Sequence, residues 1–130
     1  MQNILLIAAG GAIGASLRYV LGLMALKLFG KNSILTGTVF ANLAGCFCAG
    51  FVLAMTVETD FIMNSPGYLF FSTGIIGSLS TFSTFVFELV TLVKKRSYTQ
   101  LAVYFTVQIL IVLLFTLFGF MVYERIFGSC

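Results

Sequence analysis

The apolar residues of this chain fall into four long stretches, and polar or charged connectors separate each stretch from the next. A helix needs about 20 largely apolar residues to cross a lipid bilayer. The four stretches run roughly over residues 3–27, 33–57, 67–93 and 98–123. Because the connectors are short, neighbouring helices must run antiparallel. The sequence therefore predicts an all-α membrane protein, with one domain of four transmembrane helices over residues 1–130.

Composition excludes several other classes of protein. Of the 130 residues, 60% are hydrophobic and only 8% are charged, whereas a soluble domain carries about 25% charged residues. The net charge of +3 is small and scattered between the apolar stretches, unlike the basic face of a nucleic-acid-binding protein. The chain has no His, and its only carboxylate inside a span is Glu88, so few side chains could act as a general acid or base. We predict neither an enzyme nor a nucleic-acid partner.

Basic residues indicate the orientation in the membrane. The predicted topology places five of them on one side: Lys27, Lys31, Lys94, Lys95 and Arg96. The other side has only Arg125 in a loop or tail. Under the positive-inside rule, the basic side is cytoplasmic and both termini lie outside. The first stretch has no Lys or Arg before Arg18, so we interpret it as a retained span and not as a signal peptide.

The second span carries a narrow polar face. Helical spacing brings together small and polar residues: Thr38, Ala41, Asn42, Gly45 and Ala49. Such a face is typical of a packing seam, in which Asn42 would hydrogen-bond a neighbouring helix. The same amide could instead offer its N–H to an anion in a narrow path. Both interpretations stay open, because close packing is also what narrows a pore.

Arg18 follows a Gly10–Gly14 pair on one face of the first span. An ionisable group inside a span is costly and is therefore a functional candidate. One interpretation is structural, with Arg18 paired to backbone carbonyls or to Glu88. The other is that its fixed positive charge concentrates anions near a pore mouth.

The third span contains the most distinctive segment. Gly and hydroxyl residues crowd into residues 74–84, which favours a break in the helix. Helical spacing predicts that Phe82 and Phe85 lie one turn apart, beside a polar stripe of four residues: Thr81, Thr84, Glu88 and Thr91. The edge of a phenyl ring is positive and suits an anion. The alternative for the two rings is lipid contact or core packing.

The fourth span contributes Tyr104 and Gln108, one turn apart on one face. They either continue a hydrogen-bonding track or bind the bundle together. The cysteines lack the His or carboxylate companions of a metal site, and we assign them no function.

Three of the four spans together resemble the Fluc (CrcB-type) fluoride channel family. The resemblance lies in residues 10–19 (GGAIGASLRY), residues 37–42 (GTVFAN) with Gly45 and Gly50, and residues 74–85 (GIIGSLSTFSTF). The segments occur in the family's order, and the length and number of spans also agree. No single motif is as specific as this combination.

The resemblance implies a passive, fluoride-selective channel in the bacterial inner membrane, built as an antiparallel dimer surrounded by lipid. It implies a broken third helix, with backbone carbonyls of Gly77 and Ser80 binding a structural Na⁺ at the dimer interface. Phe82 and Phe85 would line two pores, and Asn42 would donate to fluoride. Further candidates beside the path are Thr81, Ser83, Thr84, Glu88, Tyr104, Gln108 and Arg18.

The chain departs from the family pattern at several points. Ser78 stands where the family usually has Gly, and Ser80 where it usually has Thr. Ser78 would strain the break if that position required a positive φ. Val112, one turn after Gln108, interrupts any longer hydroxyl track. The bias in Lys and Arg also conflicts with a chain that inserts in both orientations, so one half of a heterodimer is the alternative to a homodimer.

Two other classes compete with this interpretation. A proton-coupled small multidrug exporter is also a four-span antiparallel dimer, but it needs a carboxylate on its first helix, where this chain has only Arg18 as a charge. A purely structural membrane subunit would explain the apolar composition but not the cluster of Phe and hydroxyl residues.

Overall fold

The structure, a computed structural model, describes residues 1–30, 36–58 and 65–128. The predicted start of the second span at Ser33 lies outside these residues, as does Lys31.

Every described regular element is a helix. The helices are α1 (Gln2–Phe29), α2 (Gly37–Glu58), α3 (Pro66–Tyr68), the π-helix π1 (Leu69–Ile76), α4 (Gly77–Leu79), α5 (Phe82–Lys94) and α6 (Tyr98–Phe127). The elements from α3 to α5 follow one another as a single span over Pro66–Lys94. This third span, α1, α2 and α6 are each long and apolar enough to cross a membrane. The prediction of an all-α, multi-pass membrane protein with four spanning helices is confirmed.

Local signals explain where the third span begins and ends. Ser65 accepts a hydrogen bond from the Tyr68 N–H at 3.2 Å, and Pro66 occupies the first helical turn. Both features are typical of a helix N-terminus. At the other end, Arg96 has a φ of 54° and the Ser97 N–H donates to the Leu92 carbonyl at 3.1 Å. This turn reverses the chain and starts α6 at Tyr98.

The third span is broken at Ser80 and Thr81. Ser80 has φ −72° and ψ 140°, and Thr81 has φ −140° and ψ 122°, so both are extended. Thr81 then accepts from the Thr84 N–H at 3.3 Å and caps α5. The broken third helix is therefore present, as the Gly- and hydroxyl-rich composition indicates.

Ser78 does not strain this break. It lies in α4, and the only non-glycine residue with a positive φ in the described part of the chain is Arg96. The Ser78 hydroxyl donates to the carbonyls of Gly74 at 2.8 Å and Ile75 at 3.1 Å. The strain considered for this position is thus absent, since the backbone is helical there.

Glycines allow the helices to approach closely. A Cβ at Gly10 would overlap with the Phe70 carbonyl, and one at Gly14 with the Ser78 hydroxyl. The pair therefore forms a packing seam between α1 and the third span. The outer faces of the helices remain apolar and exposed, as at Leu5 and Leu114, which is expected where lipid or another chain surrounds the bundle.

Candidate functional site

The side chain of Asn42 forms hydrogen bonds with both residues of the break in the third span. Its Oδ1 accepts from the Thr81 N–H at 2.9 Å and from the Ser80 hydroxyl at 3.2 Å. Its Nδ2 donates to the Thr81 carbonyl at 3.5 Å and to Gln108 Oε1 at 3.4 Å. The side chain is buried, with 6% of its surface exposed. Asn42 thus provides partners for backbone groups that lost their helical hydrogen bonds at the break. The two hydrogen bonds that its Nδ2 donates are long.

Glu88 lies among hydroxyl groups from α2, from the residue that precedes it, and from α6. The Thr36 and Thr38 hydroxyls donate to its two carboxylate oxygens at 3.1 and 3.0 Å, and the Tyr104 hydroxyl also donates to it. Thr36 precedes α2 directly and was missed at the sequence level. Helical spacing offers no signal for a residue that lies just before the first turn.

Arg18 and Glu88 share a cavity but form no ion pair in the described part of the chain. The cavity has a volume of about 390 Å³, and we call it the Arg18 cavity. Its lining residues are Ala15, Arg18, Tyr19, Gly22, Gly37, Thr38, Thr81, Thr84 and Glu88. With respect to the described residues, the cation of Arg18 is therefore available to an anion that enters this space, and the pairing with Glu88, one of the two alternatives considered, is not observed.

A second cavity, of about 330 Å³, lies on the Phe82 side of the break, and we call it the Phe82 cavity. It is lined by Asn42, Ser80, Thr81, Phe82, Phe85, Gln108, Ile109, Val112 and Leu113. Thr81 belongs to the lining of both cavities. The extended residue Thr81 therefore borders both spaces.

The two phenylalanines have different surroundings. Their ring centroids are 5.8 Å apart, as expected for neighbours one turn apart. Phe85 is buried and packs on Tyr104 and Phe105 at centroid distances of 5.7 and 6.1 Å. Phe82 is 76% exposed. Phe85 therefore belongs to the core, while Phe82 borders the cavity and presents most of its ring outside the chain.

Tyr104 and Gln108 connect the two polar clusters. Gln108 Nε2 donates to the Tyr104 hydroxyl at 3.1 Å, while Gln108 Oε1 accepts from Asn42. Both side chains are buried, at 2% and 3% exposed. Within the described residues no buried side-chain nitrogen or oxygen lacks a hydrogen-bond partner. The structure thus joins both alternatives considered for this pair: a continuous hydrogen-bonded track that also ties α6 to α2.

Of the other hydroxyl residues, some contact this network through Thr81, while Thr91 does not. Thr81 Oγ1 lies 3.2 Å from both Ser83 Oγ and Thr84 Oγ1, and Ser83 is exposed. Thr91 donates instead to the Phe87 carbonyl within its own helix, at 2.8 Å. The predicted polar stripe therefore ends at Glu88.

The break also removes helical hydrogen bonds from Gly77 and Ser80. In a continuous helix the Thr81 N–H would bond the Gly77 carbonyl, but here it bonds Asn42. Likewise the Thr84 N–H would bond the Ser80 carbonyl, but it bonds the Thr81 hydroxyl. Gly77 is also exposed. These are two backbone oxygens of the kind that hard cations prefer.

Taken together, the fold and site define a class: a four-span helical membrane protein in which a polar, buried network and two cavities adjoin a broken helix. The chain belongs to the CrcB-like family, described as CrcB-like protein, Camphor Resistance (CrcB), whose model matches residues 5–120.

Named relatives cover nearly the whole chain. A fluoride-specific ion channel FluC from Caulobacter sp. (strain K31) is 33% identical over 128 residues, which is 98% of this chain and 99% of the relative. The channel of the same name from Acinetobacter baumannii (strain ACICU) is 38% identical over 127 residues, or 97% of each. The one from Chloroflexus aurantiacus (strain ATCC 29366 / DSM 635 / J-10-fl) is 41% identical over 98 residues, covering 75% of this chain and 76% of the relative. These relatives are ion channels, which confirms the prediction that the chain is not an enzyme.

Proposed function

We propose that this protein is a passive, fluoride-selective channel of the bacterial inner membrane. The observation that carries the proposal is that Thr81 lines both cavities, beside a buried amide and two phenylalanine rings. The names of the relatives indicate that the transported anion is fluoride. An inside-negative membrane potential would then drive cytoplasmic fluoride outward without any coupled ion.

The proposed path begins at the Arg18 cavity. The Arg18 guanidinium, which forms no ion pair with the residues that the structure describes, attracts an anion by its charge, and Thr84 and Thr81 offer hydroxyl groups towards the break. Beyond Thr81 the anion enters the Phe82 cavity, where the Asn42 N–H groups make only long contacts with Thr81 and Gln108. A small anion can take over such weakly held donors.

The phenylalanine rings complete the coordination in this proposal. Phe82 and Phe85 are tilted by 50° to each other, so an anion between them can meet ring edges, which are the positive parts of the quadrupole. Ser83 and the Tyr104–Gln108 pair are the remaining polar neighbours of the path. Selectivity for fluoride over chloride follows if these donors suit only the smaller ion.

We also propose a Na⁺ ion bound by the carbonyls of Gly77 and Ser80. The support is that both oxygens lose their helical donors, to Asn42 and Thr81 respectively. When bound, the ion would compensate the partial negative charge of these carbonyl oxygens. The residues of this chain therefore fit the group.

An antiparallel dimer is the proposed assembly. Its support is that Phe82 and Gly77, on either side of the break, are exposed although each is a candidate for a site shared between two copies. The basic residues Lys27, Lys94, Lys95 and Arg96 are biased towards one side, which favours a fixed orientation. The partner is thus either a second copy or a related chain of opposite orientation.

The test of function is anion efflux from liposomes that contain the purified protein. We expect rapid release of fluoride and negligible release of chloride from the same vesicles, with empty liposomes as the control. Equal release of both anions would contradict selectivity. Transport of an organic cation driven by a proton gradient would favour the exporter, for which no described residue of α1 supplies a carboxylate.

A further inference from the structure

A line of four hydrogen bonds joins the break to the carboxylate of Glu88. The Thr81 N–H donates to Asn42 Oδ1 at 2.9 Å, and Asn42 Nδ2 donates to Gln108 Oε1 at 3.4 Å. Gln108 Nε2 donates to the Tyr104 hydroxyl at 3.1 Å, and that hydroxyl donates to Glu88. Every hydrogen in the line therefore points towards Glu88.

The two ends of the line force this direction. A backbone N–H can only donate, so Asn42 must turn its oxygen to Thr81 and its NH₂ to Gln108. The Tyr104 hydroxyl has a single hydrogen, which it donates to Glu88, so it must accept from Gln108. Gln108 accepts at one atom and donates at the other, so it transmits the direction between the two ends.

The line is well shielded from water. Asn42, Tyr104 and Gln108 are 6%, 2% and 3% exposed. In such surroundings hydrogen bonds in series polarise one another, and a charge at one end strengthens the bonds along the line. The hydrogen bond between Asn42 and Gln108, at 3.4 Å, is longer than its two neighbours in the line, which measure 2.9 and 3.1 Å. It is therefore the link that an entering anion can displace most easily.

We propose that Gln108 is a positioning residue of the anion path, which couples the Asn42 amide to the charge on Glu88. Through Gln108, the carboxylate determines how firmly the N–H of Asn42 is held before an anion replaces Gln108 as its acceptor. The consequence for conduction rests on the proposed function, whereas the coupling is a property of the buried line itself. Two separate measurements can therefore test the two statements.

The first measurement uses NMR of the protein in lipid, with ¹⁵N-labelled asparagine, to follow the side-chain amide of Asn42. Glu88→Gln removes the charge and keeps the shape. We expect it to shift the Asn42 amide signal when Gln108 is present, and to leave that signal in place in the Gln108→Met background. An equal shift in both backgrounds would overturn the proposal, because the effect would then bypass Gln108.

The second measurement is fluoride efflux from liposomes that contain one of the same four proteins: the parent, Glu88→Gln, Gln108→Met or the double variant. Interacting residues of one network couple by amounts that correspond to about twofold or more in rate. We expect Glu88→Gln to change the efflux rate by about fivefold in the parent and by less than about twofold in the Gln108→Met background. Equal factors in the two backgrounds contradict coupling.

Controls separate this proposal from misfolding and from failure of the proposed function. Gln100→Met makes the same change at an exposed position of α6 and should leave both readouts unchanged. If Gln108→Met does not fold, Tyr104→Phe breaks the line one bond further on and should abolish the coupling in the same way. If the parent protein releases no fluoride, the proposed function fails, and the NMR measurement still decides whether Gln108 couples Asn42 to Glu88.

Discussion

Helices α2 and α6 make an extensive contact, but the two ends of that contact have opposite chemistry. Towards residues 50 and 119 the backbones touch: a Cβ at Gly50 would overlap with the Thr116 carbonyl, and one at Gly119 with the Phe47 carbonyl. Towards Asn42 and Gln108 the helices instead meet through side-chain amides. We call these the glycine end and the amide end.

The glycine end is held by close backbone contact and by aromatic packing. The rings of Phe47 and Phe118 lie 5.6 Å apart there, and those of Phe51 and Tyr123 lie 5.2 Å apart with their planes nearly perpendicular. In lipid, van der Waals packing of this kind is a main source of helix association. The glycine end therefore fixes the distance between the helices, and the amide end uses the space that this distance leaves.

The largest expected effect comes from Gly50→Leu at the glycine end. The added side chain would collide with the Thr116 backbone, which cannot move without displacing α6. Overpacking costs about 1–3 kcal/mol and sometimes more, so we expect loss of a monodisperse, folded protein in size-exclusion chromatography. Gly11→Leu is the matched control, because nothing lies within 4 Å of a Cβ at Gly11. Normal elution of Gly50→Leu would show that this contact is not needed.

The next effect is expected at the amide end, from Asn42→Leu. The change keeps the branched shape of the side chain but leaves the buried Thr81 N–H without its acceptor, at a cost of about 1–3 kcal/mol. We expect a lower melting temperature and fluoride efflux reduced by at least about tenfold. Cys48→Leu, at an exposed position of the same helix, is the control. Efflux at the parental rate would remove Asn42 from the path and leave only its packing role.

Phe85→Ile and Phe82→Ile separate conduction from stability. Phe85 is in the core, so its truncation should cost about 1–3 kcal/mol of folding free energy, whereas the exposed Phe82 should cost less. If both rings coordinate the anion, both variants should lose about tenfold or more in efflux, which corresponds to about 1.4 kcal/mol. Melting curves and efflux on the same preparations make the comparison. A Phe82→Ile protein with unchanged efflux would exclude that ring from the pore.

Phe87→Ile is the control for both variants. Phe87 lies on the same helix and is exposed, at 71%, but lines neither cavity. Its replacement should change neither the melting temperature nor the efflux rate.

The sequence predicts the spans and the break because both depend on local composition. Four apolar stretches are sufficient to define four helices, and the Gly- and hydroxyl-rich residues around Ser80 indicate where backbone is left unpaired. It also singles out Asn42, Glu88 and Gln108, since each is a polar residue inside a span. Their pairing was not predictable, because periodicity assigns residues to faces of one helix and not to partners on another.

The contact of Thr36 and the surroundings of the two phenylalanines were likewise not predictable from periodicity. Thr36 reaches Glu88 only because the entry into α2 lies beside α5, which is a tertiary relation. Phe82 and Phe85 have identical chemistry and helical spacing, yet one is exposed and the other buried. The difference follows from the direction in which α5 leaves the break, and no local pattern records that direction.

The smallest effect is expected from Ser80→Ala, which alters the side chain at the break but not the backbone. The variant loses the 3.2 Å hydrogen bond from the Ser80 hydroxyl to Asn42 Oδ1, while the stronger one from the Thr81 N–H remains. We therefore expect a loss of stability below about 1 kcal/mol and efflux within about threefold of the parent. Because Na⁺ would bind the carbonyl, the dependence of efflux on Na⁺ concentration should not change. A loss of that dependence in Ser80→Ala would assign the ion to the hydroxyl and not to the backbone carbonyl.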